Sequence, residues 1–187
     1  GPRSVLRPDA PRPAPGVLES GVPILGICYG MQVLAQVLGG RVVNAPEREY
    51  GPAVLEVDEP EGLFAGLGRR LDVWMSHGDQ VAALPEGFKV LAHTSASPIA
   101  AMADERKRIY AVQFHPEVVH TPHGLEVFRN FLFRIAGCAA NWTMGDFVEE
   151  QVSQIRSRVG KERVICALSG GVDSTVVATL LNKAIGQ

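Results

Sequence analysis

No stretch of this chain stays apolar long enough to span a bilayer, and its first twenty residues lack the apolar core of a secretory leader. Excess charge of either sign is also missing. The 18 Lys and Arg against 20 Asp and Glu leave a net −2, which gives no electrostatic footprint for nucleic acid or an anionic membrane. The three cysteines, Cys28, Cys138 and Cys166, are odd in number and far apart, a pattern that fits neither a disulfide scaffold nor a zinc knuckle. A reducing cytoplasm is the expected compartment. Internal repeats are absent too. What remains, 46% hydrophobic and 20% charged residues over 187 positions, is the composition of a globular chain with one good core and some remainder.

The organising stretch is Gly26-Ile27-Cys28-Tyr29-Gly30. Val22 to Ile27 reads as a buried strand, and Met31 to Leu38 as a helix ended by Gly39-Gly40. A strand turning into a helix over G-x-C-x-G has the geometry of a nucleophile elbow, in which glycines let the backbone fold tightly and push the side chain outward. There the sulfur meets helix N-terminal N–H groups, which favour a thiolate and can hold an oxyanion. A buried structural cysteine is the competing reading.

Ahead of this unit, the proline-rich residues Gly1 to Ser20 suit an extended surface loop. Behind it, Arg41 to Asn44 reads as a short strand, Pro46 to Tyr50 as a charged loop, and Ala53 to Val57 as another strand. Leu63 to Leu67 is a helical turn, and Leu71 to Met75 a strand delivering Ser76-His77-Gly78-Asp79 to a loop. Short strands follow at Phe88 to His93, Ile99 to Met102 and Ile109 to Phe114. A helix from Gly124 to Ile135 is expected to bury Leu125, Phe128, Phe131, Leu132 and Ile135. The pattern restarts near Asn141, which divides the chain into 1–138 and 139–187. In the second part Thr143 caps a helix ended by Gly160, Val164 to Leu168 forms a strand, and a helix begins at Val176.

A thiol nucleophile needs a base, and the base needs an orienting group. Of five histidines, His115 leaves a strand with Glu117 two residues on, so an extended backbone points both to one face, and Pro116 favours that backbone. His77 can bind substrate or brace a loop. His120 and His123 lack the further ligands a metal would need, and His93 reads as an ordinary strand-end residue. The second chemical motif is Ser169-Gly170-Gly171-Val172-Asp173-Ser174 between a strand and a helix. Its N–H groups and hydroxyls can cradle an anion, and it lacks the lysine of a Walker A loop. A plain helix-capping turn competes with that reading.

These segments resemble a known family pairing. Gly26 to Gln32, Trp74 to Asp79 and Val112 to Glu117 resemble the nucleophile, substrate-loop and His/Glu segments of class I glutamine amidotransferases. Ser169 to Ser174 is similar to the pyrophosphate loop of N-type ATP pyrophosphatases. One directly after the other resembles the glutamine-hydrolysing GMP synthase family. The resemblance implies an α/β fold, flavodoxin-like, with a mostly parallel sheet and helices on both faces, followed by the first strand-loop-helix of an adenine-nucleotide α-hydrolase-like domain. It implies Cys28 as nucleophile, His115 as acid and base, and Glu117 as its orienter. Tyr29 and Gly30 would serve the oxyanion, and Gln32, Ser76, His77 and Asp79 the glutamine site. Ser169, Gly170, Gly171, Val172, Asp173, Ser174 and Thr175 would hold ATP phosphates with Mg2+ assistance, for ATP-dependent amination of XMP. Family members are homodimers acting on small molecules, with no nucleic-acid or membrane partner. Gly1-Pro2 resembles the tail of the loop carrying the second oxyanion donor, and the chain reads as truncated at both ends, hence incompetent to make GMP by itself. A free-standing γ-glutamyl cysteine hydrolase and a non-catalytic glutamine- or partner-binding module are the alternatives.

Overall fold

The computed structural model describes residues 4–14, 16–141 and 143–186. The chain divides into two compact units, Gly1–Cys138 and Ala139–Gln187. In the first, strand β1 (Ile24–Ile27) runs into helix α1 (Tyr29–Val37) with only Cys28 between them. Strands β2 (Arg41–Val57), β3 (Arg70–Ala83), β4 (Lys89–His93), β5 (Ala101–Asp104) and β6 (Ile109–Val112) follow, then helix α2 (Gly124–Arg129), which continues as a π-helical turn over Asn130–Ile135.

The six strands form one sheet in the order β1-β6-β5-β4-β2-β3. Among the described residues only β1 and β6 pair in parallel; the other pairings are antiparallel. The expected mostly parallel sheet is therefore corrected to a mixed one. The reason lies in the connections: β4 to β6 are joined by turns too short for the crossover that parallel pairing requires. Helices do cover both faces. On one, α1 packs Met31, Leu34 and Ala35 with Val81, Met102 and Ala111. On the other, Val127 and Phe131 lie in a cluster with Leu55, Val73, Met75, Tyr110 and Phe114.

Several local expectations shift. Pro46 to Tyr50 is part of β2, which absorbs the segment through a register break between Asn44 and Glu49. The Ser76 to Asp79 segment lies within β3 and pairs with β2, so His77 is a strand residue rather than a loop one. Leu125 and Leu132, expected in the helix stripe, are 57% and 42% exposed, because the buried face runs through Val127 and Phe131, one turn apart. The proline-rich leader is not wholly peripheral, since Val5 is fully buried. The Gly1-Pro2 segment lies outside the described residues.

In the second unit, helix α3 (Met144–Val159) starts with a capping box: Thr143 Oγ1 accepts from the Asp146 N–H while the Asp146 carboxylate accepts from the Thr143 N–H. Helix α4 (Val172–Ile185) begins four residues before the expected Val176. Val164 to Leu168 forms no strand among the described residues, and Ile165 is 98% exposed. A strand exists only when its main-chain groups have a partner ladder, and propensity alone does not supply one.

Candidate active site

Cys28 occupies the joint between β1 and α1 with φ 50° and ψ −102°. A non-glycine residue with positive φ is uncommon and signals a backbone held there by its surroundings. Those surroundings are close. A Cβ on Gly26 would come within 2.5 Å of Leu34 Cδ1 and 2.9 Å of the Gly30 carbonyl carbon, so only glycine lets the helix fold back onto the strand. The Cys28 N–H donates to Val112 O at 2.8 Å, fastening the corner to the neighbouring strand. Cys28 is only 2% exposed, yet it lines a cleft of about 280 Å³. The elbow thus sets the sulfur at the bottom of a recess instead of thrusting it into solvent.

The parallel register matches Ile27 with Val112, so β1 and β6 end together. Cys28 leaves one strand and Gln113, Phe114 and His115 leave the other, at the carboxyl end of the sheet, where α/β proteins place ligands. His115 Nδ1 lies 2.6 Å from Glu117 Oε1. A carboxylate oxygen only accepts, so Nδ1 carries the proton and a neutral ring keeps a bare lone pair on Nε2. That Nε2 is buried and without a hydrogen-bond partner, the condition of a proton acceptor awaiting a donor. The His115 backbone is tied on both sides: its N–H donates to Trp74 O at 2.9 Å, and its carbonyl accepts from Thr121 Oγ1 at 2.7 Å.

Around the sulfur, the first intrahelical bond of α1 runs from the Gln32 N–H to Cys28 O. The Tyr29 and Gly30 N–H groups therefore lack acceptors within the helix and suit an oxyanion. Ser76, His77, Gly78 and Asp79 line the cleft with Gln32. The Asp79 carboxylate accepts from Asn44 Nδ2 at 2.7 Å and from Ser4 Oγ. His77 is buried, with Nδ1 3.0 Å from Asp79 O and Nε2 3.0 Å from Glu49 Oε2. Glu49 also accepts from Thr94 Oγ1 at 2.8 Å and Ser97 Oγ at 2.6 Å. Burial alone would raise the Glu49 carboxyl, but the hydrogen bonds from His77, Ser97 and Thr94 outweigh it and hold it below its ordinary value.

Glu49, Ser4, Asn44 and Gln113 were not singled out as site residues by sequence reasoning. For Glu49 a signal existed: counting back by twos from the buried Leu55 and Val57 reaches it, so a single strand would put it on the inward face. His120 stacks on Trp74 with ring centroids 4.4 Å apart. Among the described residues no cluster of three His, Cys, Asp or Glu side chains suits a metal.

The anion loop of the second unit is open to solvent. Ser174 Oγ and Thr175 Oγ1 both donate to Gly171 O, and Ser169 Oγ sits 3.1 Å from Ser174 Oγ. Gly170 takes φ +80°, a conformation that favours glycine. Helix α4 follows, so the N–H groups of its first turn, which have no intrahelical acceptors, lie in this exposed loop, while the Ser174 and Thr175 hydroxyls turn onto Gly171 O.

With this geometry established, comparison with known proteins gives two matches to family models. The class-I glutamine amidotransferase family matches residues 1–135, and the chain belongs to that family. The NAD synthase family matches residues 143–187. Among curated relatives, the glutamine-hydrolysing GMP synthase of Thermomicrobium roseum is 59% identical across all of this chain and 35% of its own length. That of Heliobacterium modesticaldum is 54% identical across all of this chain and 36% of its own length. The chain therefore spans about a third of these relatives. A protein from Thermoplasma acidophilum, described as one component of a GMP synthase, superposes with TM-score 0.59 at 39% identity, covering 62% of this chain and 57% of that one. A glutamine amidotransferase from Thermotoga maritima, at 23% identity and TM-score 0.51 over 90% of this chain and 63% of its own, shares the fold. No helix among the described residues is long and apolar enough to cross a membrane.

Proposed function

We propose that this chain splits the side-chain amide of glutamine with a Cys28, His115 and Glu117 triad, as the amidotransferase part of a glutamine-hydrolysing GMP synthase. One observation carries the reading: of two strands that end side by side, one leads into a thiol at a strained elbow and the other into an imidazole whose buried Nε2 has no hydrogen-bond partner and whose Nδ1 is held by a carboxylate.

The steps follow from those groups. The Cys28 proton passes to His115 Nε2 as the sulfur attacks the amide carbon, and the developing oxyanion is held by the Tyr29 and Gly30 N–H groups. Collapse breaks the C–N bond, and the proton on His115 goes to the departing nitrogen, which leaves as ammonia. Water then attacks the thioester while His115 takes its proton. The second collapse releases glutamate and restores the thiol. Glu117 keeps the ring in the tautomer that both halves need. Asp79, fixed by Asn44 and Ser4, presents negative charge to the cleft and suits the α-ammonium of an amino acid.

For the second unit we infer a phosphate-holding role. Ser169, Gly170, Gly171, Val172, Asp173, Ser174 and Thr175 offer donors and no lysine, which fits the oxygens of a departing pyrophosphate. ATP supplies an adenylyl group that activates XMP for attack by ammonia in the whole protein. Mg2+ would accompany the phosphates, with Asp173 the carboxylate of this loop. Homodimerisation and a cytoplasmic setting belong to the same proposal.

The test is a glutamine-mimicking diazoketone. Covalent labelling of the Cys28 peptide, slowed by free glutamine, is the expected result. Absence of labelling in a longer protein that makes no GMP from XMP, ATP and glutamine would overturn the reading.

A further inference from the structure

The Cys28 sulfur sits between an acceptor and a donor. Its S–H faces Ser76 O at 3.6 Å, and Gln113 Nε2 lies 3.6 Å from it. Gln113 is fully buried two residues before His115, and no role has yet fallen to it.

The direction of its amide is fixed by neighbours. Asp79 O is a backbone carbonyl and accepts only, so the Gln32 group 2.7 Å from it is the nitrogen, and His77 Nδ1 donates to the same oxygen at 3.0 Å. The other hydrogen of Gln32 Nε2 reaches Gln113 Oε1 at 3.2 Å. Gln113 therefore turns its oxygen to Gln32 and its N–H to the sulfur. The flipped amide would set two NH2 groups against each other and an oxygen against the sulfur, losing both contacts.

We infer that Gln113 is a hydrogen-bond donor to the Cys28 sulfur that holds it in its reactive, deprotonated form; this rests on reading Cys28 as the nucleophile. While the sulfur carries its proton, Ser76 O takes the S–H. When that proton leaves for His115 Nε2, the N–H of the fully buried Gln113 becomes a charge-assisted donor to the sulfur. The bond weakens when the thioester forms and strengthens again when the sulfur departs with its electron pair, so it favours both halves of the reaction. Glu49 and His77 act further back, by pinning the carbonyl that orients Gln32 and, through it, Gln113.

Gln113→Met keeps the volume and removes the donor. Alkylation of Cys28 by iodoacetamide at neutral pH, followed on its own peptide by mass spectrometry, is expected to slow about tenfold. Cys138, exposed and distant in sequence, is the internal control and keeps its rate. The diazoketone is expected to slow by the same factor, because the defect lies on the sulfur and not in glutamine binding. Unchanged iodoacetamide alkylation in Gln113→Met overturns the inference, even where the mimic labels the parent. A parent that iodoacetamide labels but the mimic does not sinks the glutamine reading and leaves this inference standing. Should the variant fail to fold, the unsubstituted protein decides by NMR: one Gln113 side-chain amide proton is expected to move downfield as Cys28 deprotonates and to stay put in Cys28→Ala. Equal behaviour in the two proteins overturns the inference.

Discussion

The two units carry one chemical motif each just ahead of a helix, the first leaving a paired strand and the second an exposed segment that pairs with no strand among the described residues. At Cys28 the motif is held by residues far away in sequence, Val112 on its backbone and Gln113 on its sulfur, while Leu34 of the adjoining helix closes over Gly26. At Ser169 to Thr175 the side-chain hydrogen bonds reach at most five residues along the chain. The first arrangement clamps a corner from another strand; the second ties a turn's hydroxyls to the turn's own atoms and leaves the loop exposed. A short motif thus states which atoms are offered, while distant neighbours decide how firmly they are aimed.

That contrast can be broken at several points. The largest effect is expected for Cys28→Ala, which should lower any glutamine hydrolysis by about 10⁴-fold or more, read as ammonia release, with folding intact by circular dichroism. Next comes Glu49→Ala. It strips the acceptor from His77, Thr94 and Ser97 at once and is expected to cost about 3 kcal/mol, seen as a lower denaturant midpoint with unchanged slope. Because the Glu49 carboxyl is depressed below its ordinary 4.5, its contribution is complete above that pH and fades as pH falls through the lower folded value. Melting temperatures followed downward from neutrality should therefore fall less steeply in Glu49→Gln than in the parent. A smaller loss, about 2 kcal/mol, is expected for Gly124→Ala, whose Cβ would stand 1.8 Å from Pro116 O and must displace the segment carrying Glu117. Hydrolysis should fall with it. The smallest effect belongs to the second unit: Thr143→Ala removes a capping box and should cost about 1 kcal/mol, seen in helix content. Cys28 labelling should not change. If it does, the locality of the second unit is refuted.

What could be read from the sequence follows the same division. The elbow was legible because its requirements are local: two glycines, an apolar strand and a helical period. The pairing of His115 with Glu117 was legible for the same reason, since two residues and a proline set it. So was the Thr143 cap. The mixed sheet was not, because strand direction depends on which segments meet. Glu49 was hidden by its neighbours Glu47 and Arg48, which made a bulged strand look like a polar loop. His77 was named but assigned to a loop by the same assumption, although it continues the alternation of Leu71, Val73 and Met75 into the interior. Val164 to Leu168 erred the other way, having the composition of a strand without a ladder to join.

The parallel seam between β1 and β6 has one more consequence. Cys28 and Gln113 stand 85 positions apart, whereas β2 and β3 meet over a short connection. Closing so wide a loop carries an entropic cost that near-neighbour pairing avoids, so the seam is favoured only after the intervening hairpin has condensed and shortened the search. Late arming of the thiol is the expected outcome, read as Cys28 alkylation that settles to its native rate only after the circular-dichroism signal has recovered during refolding.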